Sequence, residues 1–241
     1  MQKISILLIA VSILVTVSSC KKNDPGNNNN TATKSYFNTV NASPGESNPD
    51  LYIPSGSSPL TTDFYYGMST GYSHFLVSSD QNFTIKDFAH GTVLTSGLLN
   101  GVNNAYYSWF LYDTFPNLKY FLTKDDLPTG LAAGKGAIKF VNLSPNAGAV
   151  TYRIAGGGAT LASNIQYAGS APTACTSAFI PVDTGYIAIE VLDATTLAVI
   201  DSLPLYQLYV KPGKGHLLWT MGYRGAVGQY ALMERYTLGI Y

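Results

Sequence analysis

Charged residues, cysteines and histidines are all scarce in this chain of 241 residues. The 14 lysines and arginines balance the 14 aspartates and glutamates, so the formal net charge is zero. Because no basic stripe is available to neutralise phosphates, the sequence argues against a nucleic-acid partner. The three histidines, His74, His90 and His216, lie far apart and have no cysteine or carboxylate at metal-ligand spacing. We therefore expect no metal site and no cofactor.

The N-terminal apolar run is too short to be a permanent membrane anchor. It covers residues 4–17, whereas a bilayer-spanning helix needs about 20 residues. Lys3 precedes the run, and residues 17–20 (Val-Ser-Ser-Cys) resemble a bacterial lipobox. Residues 1–19 are therefore predicted to be a lipoprotein signal peptide, with an ordinary secretory signal as the alternative. In the lipoprotein interpretation, acyl chains on Cys20 hold the protein at the membrane.

Residues 20–33 are predicted to form a disordered tether, because they are polar and include four consecutive asparagines. This segment and the lipobox resemble those of Bacteroidota lipoproteins, which implies a place at the outer membrane of the cell envelope. In that group, acidic residues soon after the cysteine favour surface export, but here two lysines precede Asp24. The periplasmic and the surface face both stay open. With Cys20 acylated, Cys175 has no disulfide partner and is expected to be a buried small apolar residue.

The most informative feature that is present is an internal repeat. Residues 40–44 (Val-Asn-Ala-Ser-Pro) recur 101 positions later as residues 141–145 (Val-Asn-Leu-Ser-Pro). In each copy a run of β-branched and aromatic residues ends at the Ser-Pro turn, as is typical of the first strand of a domain. The repeat therefore predicts two domains, which we place at residues 34–128 and 136–241, joined by the glycine-rich linker 129–135.

The remaining pattern predicts an all-β chain. Short runs rich in Thr, Val, Tyr and Phe alternate with turn residues, and no segment keeps a helical period. Each copy then forms an antiparallel β-sandwich of about eight strands. The predicted strands of the first copy are 36–42, 50–53, 60–66, 74–77, 83–88, 93–94, 105–112 and 118–122. Those of the second copy are 138–143, 150–154, 161–167, 179–182, 186–191, 197–200, 217–223 and 230–236.

Three segments together resemble domain-of-unknown-function family 4397. They are residues 40–44, residues 141–145 and residues 180–186 (Ile-Pro-Val-Asp-Thr-Gly-Tyr), which precede a predicted strand. The resemblance spans both copies and implies two tandem Ig-like sandwiches, a kind of domain common in bacterial envelope proteins. The family usually has His-Ala-Ser-Pro where this chain has Asn41 and Asn142 in place of the histidine. The family carries no agreed activity, so the resemblance implies no functional residue.

One tripeptide resembles a catalytic motif. Residues 183–185 (Asp-Thr-Gly) have the sequence of an aspartic-protease loop, and such enzymes need two carboxylates that share a proton. The corresponding position of the first copy, Asp80, is followed by Gln and Asn, so the second loop is missing. Asp and Gly also favour turns for backbone reasons. We interpret the tripeptide as a turn, predict no catalytic residues and expect the protein not to be an enzyme.

Aromatic residues are the feature that points to function. The chain has 18 tyrosines, more than two small cores need, and exposed aromatic faces bind sugar rings or partner proteins. Trp109 and Trp219 fall on corresponding strands and are predicted to lie in the core. Tyr72 and Tyr206, close to predicted loops, are the candidate ligand contacts, although tyrosine also favours half-buried strand faces.

Two functions are consistent with these observations. The first is a non-enzymatic, lipid-anchored envelope protein whose two sandwiches bind protein partners in adhesion or assembly. The second is a glycan-binding accessory lipoprotein of a polysaccharide-uptake system, with a tyrosine cluster on one domain as its binding surface.

Overall fold

The structure, a computed structural model, describes residues 34–45, 48–53, 59–76, 81–115 and 117–237, with the side chains of 73–76 left out of the description. The predicted signal peptide, Cys20 and the tether lie outside the described residues. All described residues belong to one compact unit. None of them lies in a helix long and apolar enough to cross a membrane.

Within the described residues the chain forms fifteen strands and one short 3-10 turn, which confirms the all-β prediction. The strands are β1 (Lys34–Asn41), β2 (Pro49–Tyr52), β3 (Ser69–Leu76), β4 (Gln81–Asp87), β5 (Val93–Leu99), β6 (Tyr106–Tyr112), β7 (Lys119–Lys124), β8 (Lys135–Asn142), β9 (Val150–Ile154), β10 (Thr160–Ile165), β11 (Ile180–Asp183), β12 (Gly185–Asp193), β13 (Val199–Val210), β14 (Gly215–Met221) and β15 (Met233–Tyr236). The 3-10 turn, Gly228–Tyr230, occupies the start of the predicted strand 230–236.

The strands form four sheets, two from each copy. Sheet 1 has the order β2-β4-β5 and sheet 2 the order β3-β1-β6-β7, while sheet 3 has the order β11-β8-β14-β15 and sheet 4 the order β10-β9-β12-β13. In sheet 2 the first strand of the copy runs parallel to β6, and in sheet 3 the equivalent β8 runs parallel to β14. The other strand pairs are antiparallel, so the predicted antiparallel sandwich holds apart from these two pairs.

Alternation along the strands creates three apolar clusters, because successive side chains of a strand point to opposite faces. On β6, Trp109 and Leu111 pack into the core of the first copy, while Phe110 and Tyr112 point the other way. A separate core fills the space between the two sheets of the second copy. Trp109 and Trp219 are both buried, as predicted.

The third cluster, here named the middle cluster, joins the two copies. Its buried members are Val40, Ala42, Phe110, Tyr112, Ala137, Val141, Leu143, Ala168, Cys175, Phe179, Leu217, Trp219 and Met221. They come chiefly from the outer faces of sheets 2 and 3, so these sheets are covered on both faces. Every residue of β14 is buried as a result. The predicted bounds 34–128 and 136–241 stay predictions, but the copies they separate share this cluster.

The asparagine of the repeated Val-Asn-x-Ser-Pro segment has a structural role. The Oδ1 atoms of Asn41 and Asn142 accept hydrogen bonds from the backbone N–H groups of Ser43 and Ser144, at 2.9 and 3.1 Å. Both amide groups also donate across the fold, Asn41 to the carbonyl of Phe64 and Asn142 to that of Ile165, the residue 101 positions later. The motif therefore fixes the turn after the first strand of each copy.

Replacing Asn142 by alanine is expected to lower the free energy of unfolding by about 1–3 kcal/mol, because buried backbone groups lose their partners. Chemical denaturation of the variant measures the change. The matched control is Asn146→Ala, since Asn146 also hydrogen-bonds to backbone groups but is exposed. An equal effect of the two substitutions would contradict this role for Asn142.

The predicted strand at residues 60–66 is wrong, since the first copy makes only a single bridge there, between Leu51 and Thr61. The second copy has β10 at the equivalent place, where Ala162 pairs with Tyr152. Prolines explain the difference. Pro59 replaces Thr160 and Pro49 replaces Val150, and a proline has no N–H group to donate to a ladder.

Candidate functional site

A bulge in the edge strand β13 builds the candidate site. Ile187 of β12 pairs with Leu208, but Ile189 pairs with Leu203, so β13 has four residues where β12 has one. Bulges of this kind redirect side chains away from the regular pleat. Within the bulge Tyr206 has φ +74°, a left-handed conformation that costs a non-glycine residue about 1–3 kcal/mol.

The bulge places Tyr206 in a cluster with Tyr186 and Tyr209, here named the tyrosine cluster. Tyr186 lies directly opposite Tyr209 across β12 and β13. The ring of Tyr186 meets those of Tyr206 and Tyr209 edge-to-face, with centroids 5.2 and 5.0 Å apart. The residues remain 54%, 73% and 43% exposed in chain order, so rings that stabilise one another still face solvent.

The bulge is held from the protein interior. Leu203, Leu208 and Val210, on either side of it, are buried in the core of the second copy. The Tyr236 hydroxyl, from the neighbouring sheet 3, donates a hydrogen bond to the carbonyl of Gln207 inside the bulge. The tyrosine cluster therefore stands on a fixed strand and not on a free loop.

Tyr72, the other sequence-predicted contact, lies elsewhere, and its hydroxyl hydrogen-bonds to groups inside the protein. Its hydroxyl donates to Asp125 Oδ2 at 2.8 Å and lies 2.9 Å from Ser108 Oγ. Its ring contacts Tyr106 edge-to-face. Tyr72 is on β3 of sheet 2, whereas Tyr206 is on sheet 4, so the structure does not bring the two residues into one site.

The Tyr72 hydroxyl donates to one partner of a buried ion pair between the copies. Lys139 Nζ lies 3.0 Å from Asp125 Oδ1, and the side chains are 5% and 0% exposed. The ammonium also donates to Thr123 Oγ1 at 2.7 Å and to the carbonyl of Lys124 at 2.8 Å. Since Lys139 is on β8 and its partners lie at the end of β7 or directly after it, this network connects the first copy to the second.

The other titratable candidates do not form a catalytic group. Asp183 pairs with Lys135 at the surface and its side chain is 87% exposed. His216 is buried. Its Nε2 accepts from the backbone N–H of Lys211, Nδ1 faces the carbonyl of Thr237, and burial lowers its pKa. No three His, Cys, Asp or Glu side chains among the described residues are grouped so as to hold a metal ion.

Cys175 is buried, as predicted, and burial raises the pKa of its thiol to about 11. Glu234 is a buried carboxyl that sequence reasoning missed. Burial, and next the carboxyl group of Asp201, raise its pKa to about 9, so the group is protonated at neutral pH. It lies opposite Thr220 in the β14–β15 pair. A strand pattern of alternating polarity contains no signal for such an acid.

Comparison with known proteins gives a family match and a weak structural likeness to solved structures. No curated protein matches the chain. A solved structure that resembles it is that of CBMbc, of family CBM26, from Eubacterium rectale Amy13K in complex with maltoheptaose. The identity is 14%, the alignment covers 85% of this chain and 97% of that one, and the TM-score is 0.27, which is too low to support an argument.

The family comparison agrees with the repeated segments. The model described as "Domain of unknown function (DUF4397)" matches residues 35–153, which include the first copy and continue into β9. The match contains both Val-Asn-x-Ser-Pro segments and the turns that their asparagines fix. Through residues 35–153 the chain therefore belongs to the DUF4397 family.

Proposed function

We propose that the protein is a non-enzymatic binding protein of the bacterial cell envelope, anchored at the outer membrane through lipid on Cys20, and that it contacts a protein partner through the tyrosine cluster. The observation that carries the proposal is the exposure of three tyrosines, in which the Tyr186 ring packs on both others, on two paired strands anchored in the core.

A protein partner fits the chemistry of this surface. Tyrosine is enriched among the residues that dominate the binding energy of interfaces. Leu205, beside Tyr206 in the bulge, and Val199, on the same strand, are also exposed, and exposed apolar residues next to aromatic ones mark interaction surfaces. Tyr206 also has a left-handed conformation, and such backbone strain concentrates at functional positions.

The second candidate is a glycan-binding accessory lipoprotein of a polysaccharide-uptake system. The same tyrosines favour it, because aromatic rings also stack on sugar rings. The aliphatic neighbours Leu205 and Val199 favour the protein partner, since they have no group to hydrogen-bond sugar hydroxyls.

Replacing Tyr206 by glycine is expected to stabilise the fold while it weakens partner binding. Glycine adopts positive φ without strain, so the free energy of unfolding rises by about 1 kcal/mol. Loss of a central tyrosine raises Kd roughly tenfold or more. Denaturation curves and partner titrations measure the two effects. The control is Leu197→Gly, because Leu197 is also exposed with positive φ but lies outside the bulge, so it should stabilise the fold and leave binding unchanged.

Site-specific photocrosslinking in cells tests the proposed function. A photoreactive phenylalanine analogue at position 206 is expected to give a discrete protein adduct that disappears when Tyr186 and Tyr209 are both alanine. The same analogue at Val227, which is exposed but does not belong to the tyrosine cluster, should give no adduct. Retardation of residues 34–241 in polysaccharide affinity gels, lost in the same double variant and without a protein adduct, would favour the second candidate. The absence of both the adduct and the retardation would refute both candidate functions.

The anchor and location have a separate test. Incorporation of labelled palmitate that disappears in Cys20→Ala is expected if Cys20 is acylated. Movement of the Cys20→Ala protein from the membrane fraction into the soluble fraction would support the same anchor, and an unchanged distribution would contradict it. Protease treatment of intact cells then distinguishes the surface from the periplasmic face.

A further inference from the structure

A cleft of about 500 Å³ opens between the two copies, and none of its lining residues belongs to the tyrosine cluster. This volume lies within the range of roughly 300–1,000 Å³ that small-ligand sites occupy. The first copy contributes Asn48, Tyr65 and Tyr66, and the second contributes Gln229, Tyr230 and Arg235. Residues 46 and 47 lie outside the described part of the chain.

The walls of the cleft are aromatic, and contacts with both copies hold the Tyr230 side chain in place. The rings of Tyr66 and Tyr230 meet edge-to-face with centroids 5.3 Å apart. The Tyr230 hydroxyl donates to the carbonyl of Gly45 at 2.7 Å, which ties the two copies together at the cleft. Tyr65 is 55% exposed, so its ring is available to a ligand.

Two polar groups at the cleft have no partner among the described residues. The Tyr66 hydroxyl is buried and makes no hydrogen bond. Burial raises the pKa of this phenol well above its ordinary value, so the hydroxyl keeps its proton and is able to donate. The Arg235 guanidinium makes no hydrogen bond or ion pair with a described side chain, unlike Arg153 and Arg224, which pair with carboxylates.

The position of Arg235 explains why its charge is directed to the cleft. On β15 Glu234 points inward and is buried, so the next residue, Arg235, points outward. Its guanidinium lies beside Gly67, where an added Cβ would be 3.6 Å from Arg235 Nε. An unpaired guanidinium is a fork of donors that matches a carboxylate in bidentate geometry.

We propose that this cleft binds an acidic sugar residue, whose carboxylate pairs with Arg235 and whose ring packs on Tyr65 and Tyr66. Asn48 and Gln229 supply side-chain amides for the sugar hydroxyls. Asn48 also donates to Asp63 at 2.7 Å, and this contact fixes the orientation of its amide. A neutral sugar leaves the guanidinium unpaired, and a small inorganic anion leaves the tyrosine rings uncovered, so each satisfies half of the site.

The proposal does not rest on the tyrosine cluster, because the cleft shares no residue with it. Calorimetric titration of residues 34–241 with trimers of galacturonic, glucuronic and mannuronic acid tests it. At least one trimer is expected to bind, with a Kd that rises with ionic strength. The methyl ester of the same trimer, which keeps the ring and loses the charge, should bind at least tenfold more weakly.

Variants assign the binding to named groups. Arg235→Gln is expected to abolish the preference for the acid over its ester, and Tyr65→Ala to weaken both ligands about tenfold. Arg153→Gln, with the same change of charge outside the cleft, should leave binding unchanged. Binding of the trimers to the cleft and the protein adduct at position 206 are separate readouts, so failure here and failure of the proposed function are distinguishable.

Three results would overturn the inference. Absence of binding by all three trimers is the first, and equal affinity for acid and ester is the second. The third is full competition by acetate or inorganic phosphate at concentrations equal to that of the trimer, which would identify an anion site that does not recognise the sugar ring.

Discussion

Replacing Lys139 by methionine is expected to lower the free energy of unfolding by about 3–5 kcal/mol, the typical cost of breaking a buried ion pair. The substitution removes the ammonium group that lies 3.0 Å from the fully buried Asp125 carboxylate, to which the hydroxyls of Tyr72 and Ser108 also donate. Denaturation by urea, followed by fluorescence and far-UV circular dichroism, measures the loss.

Two further variants show whether burial is the cause. The double variant Lys139→Met/Asp125→Leu should recover more than half of the lost stability, because no unpaired charge is left in the interior. Lys119→Met, which breaks the surface pair of Lys119 with Asp113, should change stability by less than about 1 kcal/mol. Equal losses for Lys139→Met and Lys119→Met would contradict the described network.

Glu234 is expected to make stability fall as pH rises. Its folded-state pKa is raised from 4.5 to about 9, so between these pH values the folded protein holds a proton that the unfolded chain has released. The contribution of this group is fully present below about pH 4.5 and is lost as pH rises toward 9, at up to about 1.4 kcal/mol per pH unit. Glu234→Gln removes this dependence. Relative to the wild type, the variant should gain on the order of 3 kcal/mol between pH 5 and pH 8.

The control for Glu234 is Glu190→Gln. A hydrogen bond from Arg153, and next one from the backbone of Gly156, lower the pKa of Glu190, so this carboxylate is ionised in both states above pH 5. Its stability difference from the wild type should therefore stay constant between pH 5 and pH 8. Parallel pH profiles for the wild type and Glu234→Gln would show that Glu234 is ionised in the folded protein.

The repeat allowed much of the fold to be predicted, because equivalent positions in the two copies form the same local structure. Most predicted strands are present, and equivalent positions make equivalent contacts, as the pairs Leu51–Thr61 and Tyr152–Ala162 show. The exception at 60–66 follows from prolines at positions 49 and 59, which were visible in the sequence. Burial of Trp109, Trp219 and Cys175 was also predictable, since these residue types pack in cores.

The middle cluster could not be predicted, because it depends on which outer faces of the four sheets pack against each other. Lys139 in a strand is ordinarily a sign of a solvent-facing side, yet here it is buried against Asp125. Trp109 and Trp219 fall on corresponding strands, but Trp219 pairs with Val141 as Phe110 pairs with Val40. The two tryptophans therefore point to different clusters, a difference of one residue that composition does not reveal.

The candidate sites were predictable only in part. The sequence predicts that Tyr206 lies close to a loop. The structure places it at the surface but within β13, where the sequence predicts a strand only at residues 197–200. Its neighbours Tyr186 and Tyr209 come together through a bulge for which no sequence signal was identified. The cleft lies between the copies, so no pattern within either copy could indicate it.

The central claim is that the middle cluster makes the two copies one folding unit, on which the cleft between them depends. The tryptophans test it, because Trp109 lies in the core of the first copy and Trp219 in the middle cluster. Trp219→Phe and Trp109→Phe each leave a single tryptophan as the fluorescent probe. In both variants the fluorescence transition in urea should coincide with the loss of β-structure by circular dichroism. Two separate transitions, with Trp109 reporting only one of them, would contradict the account.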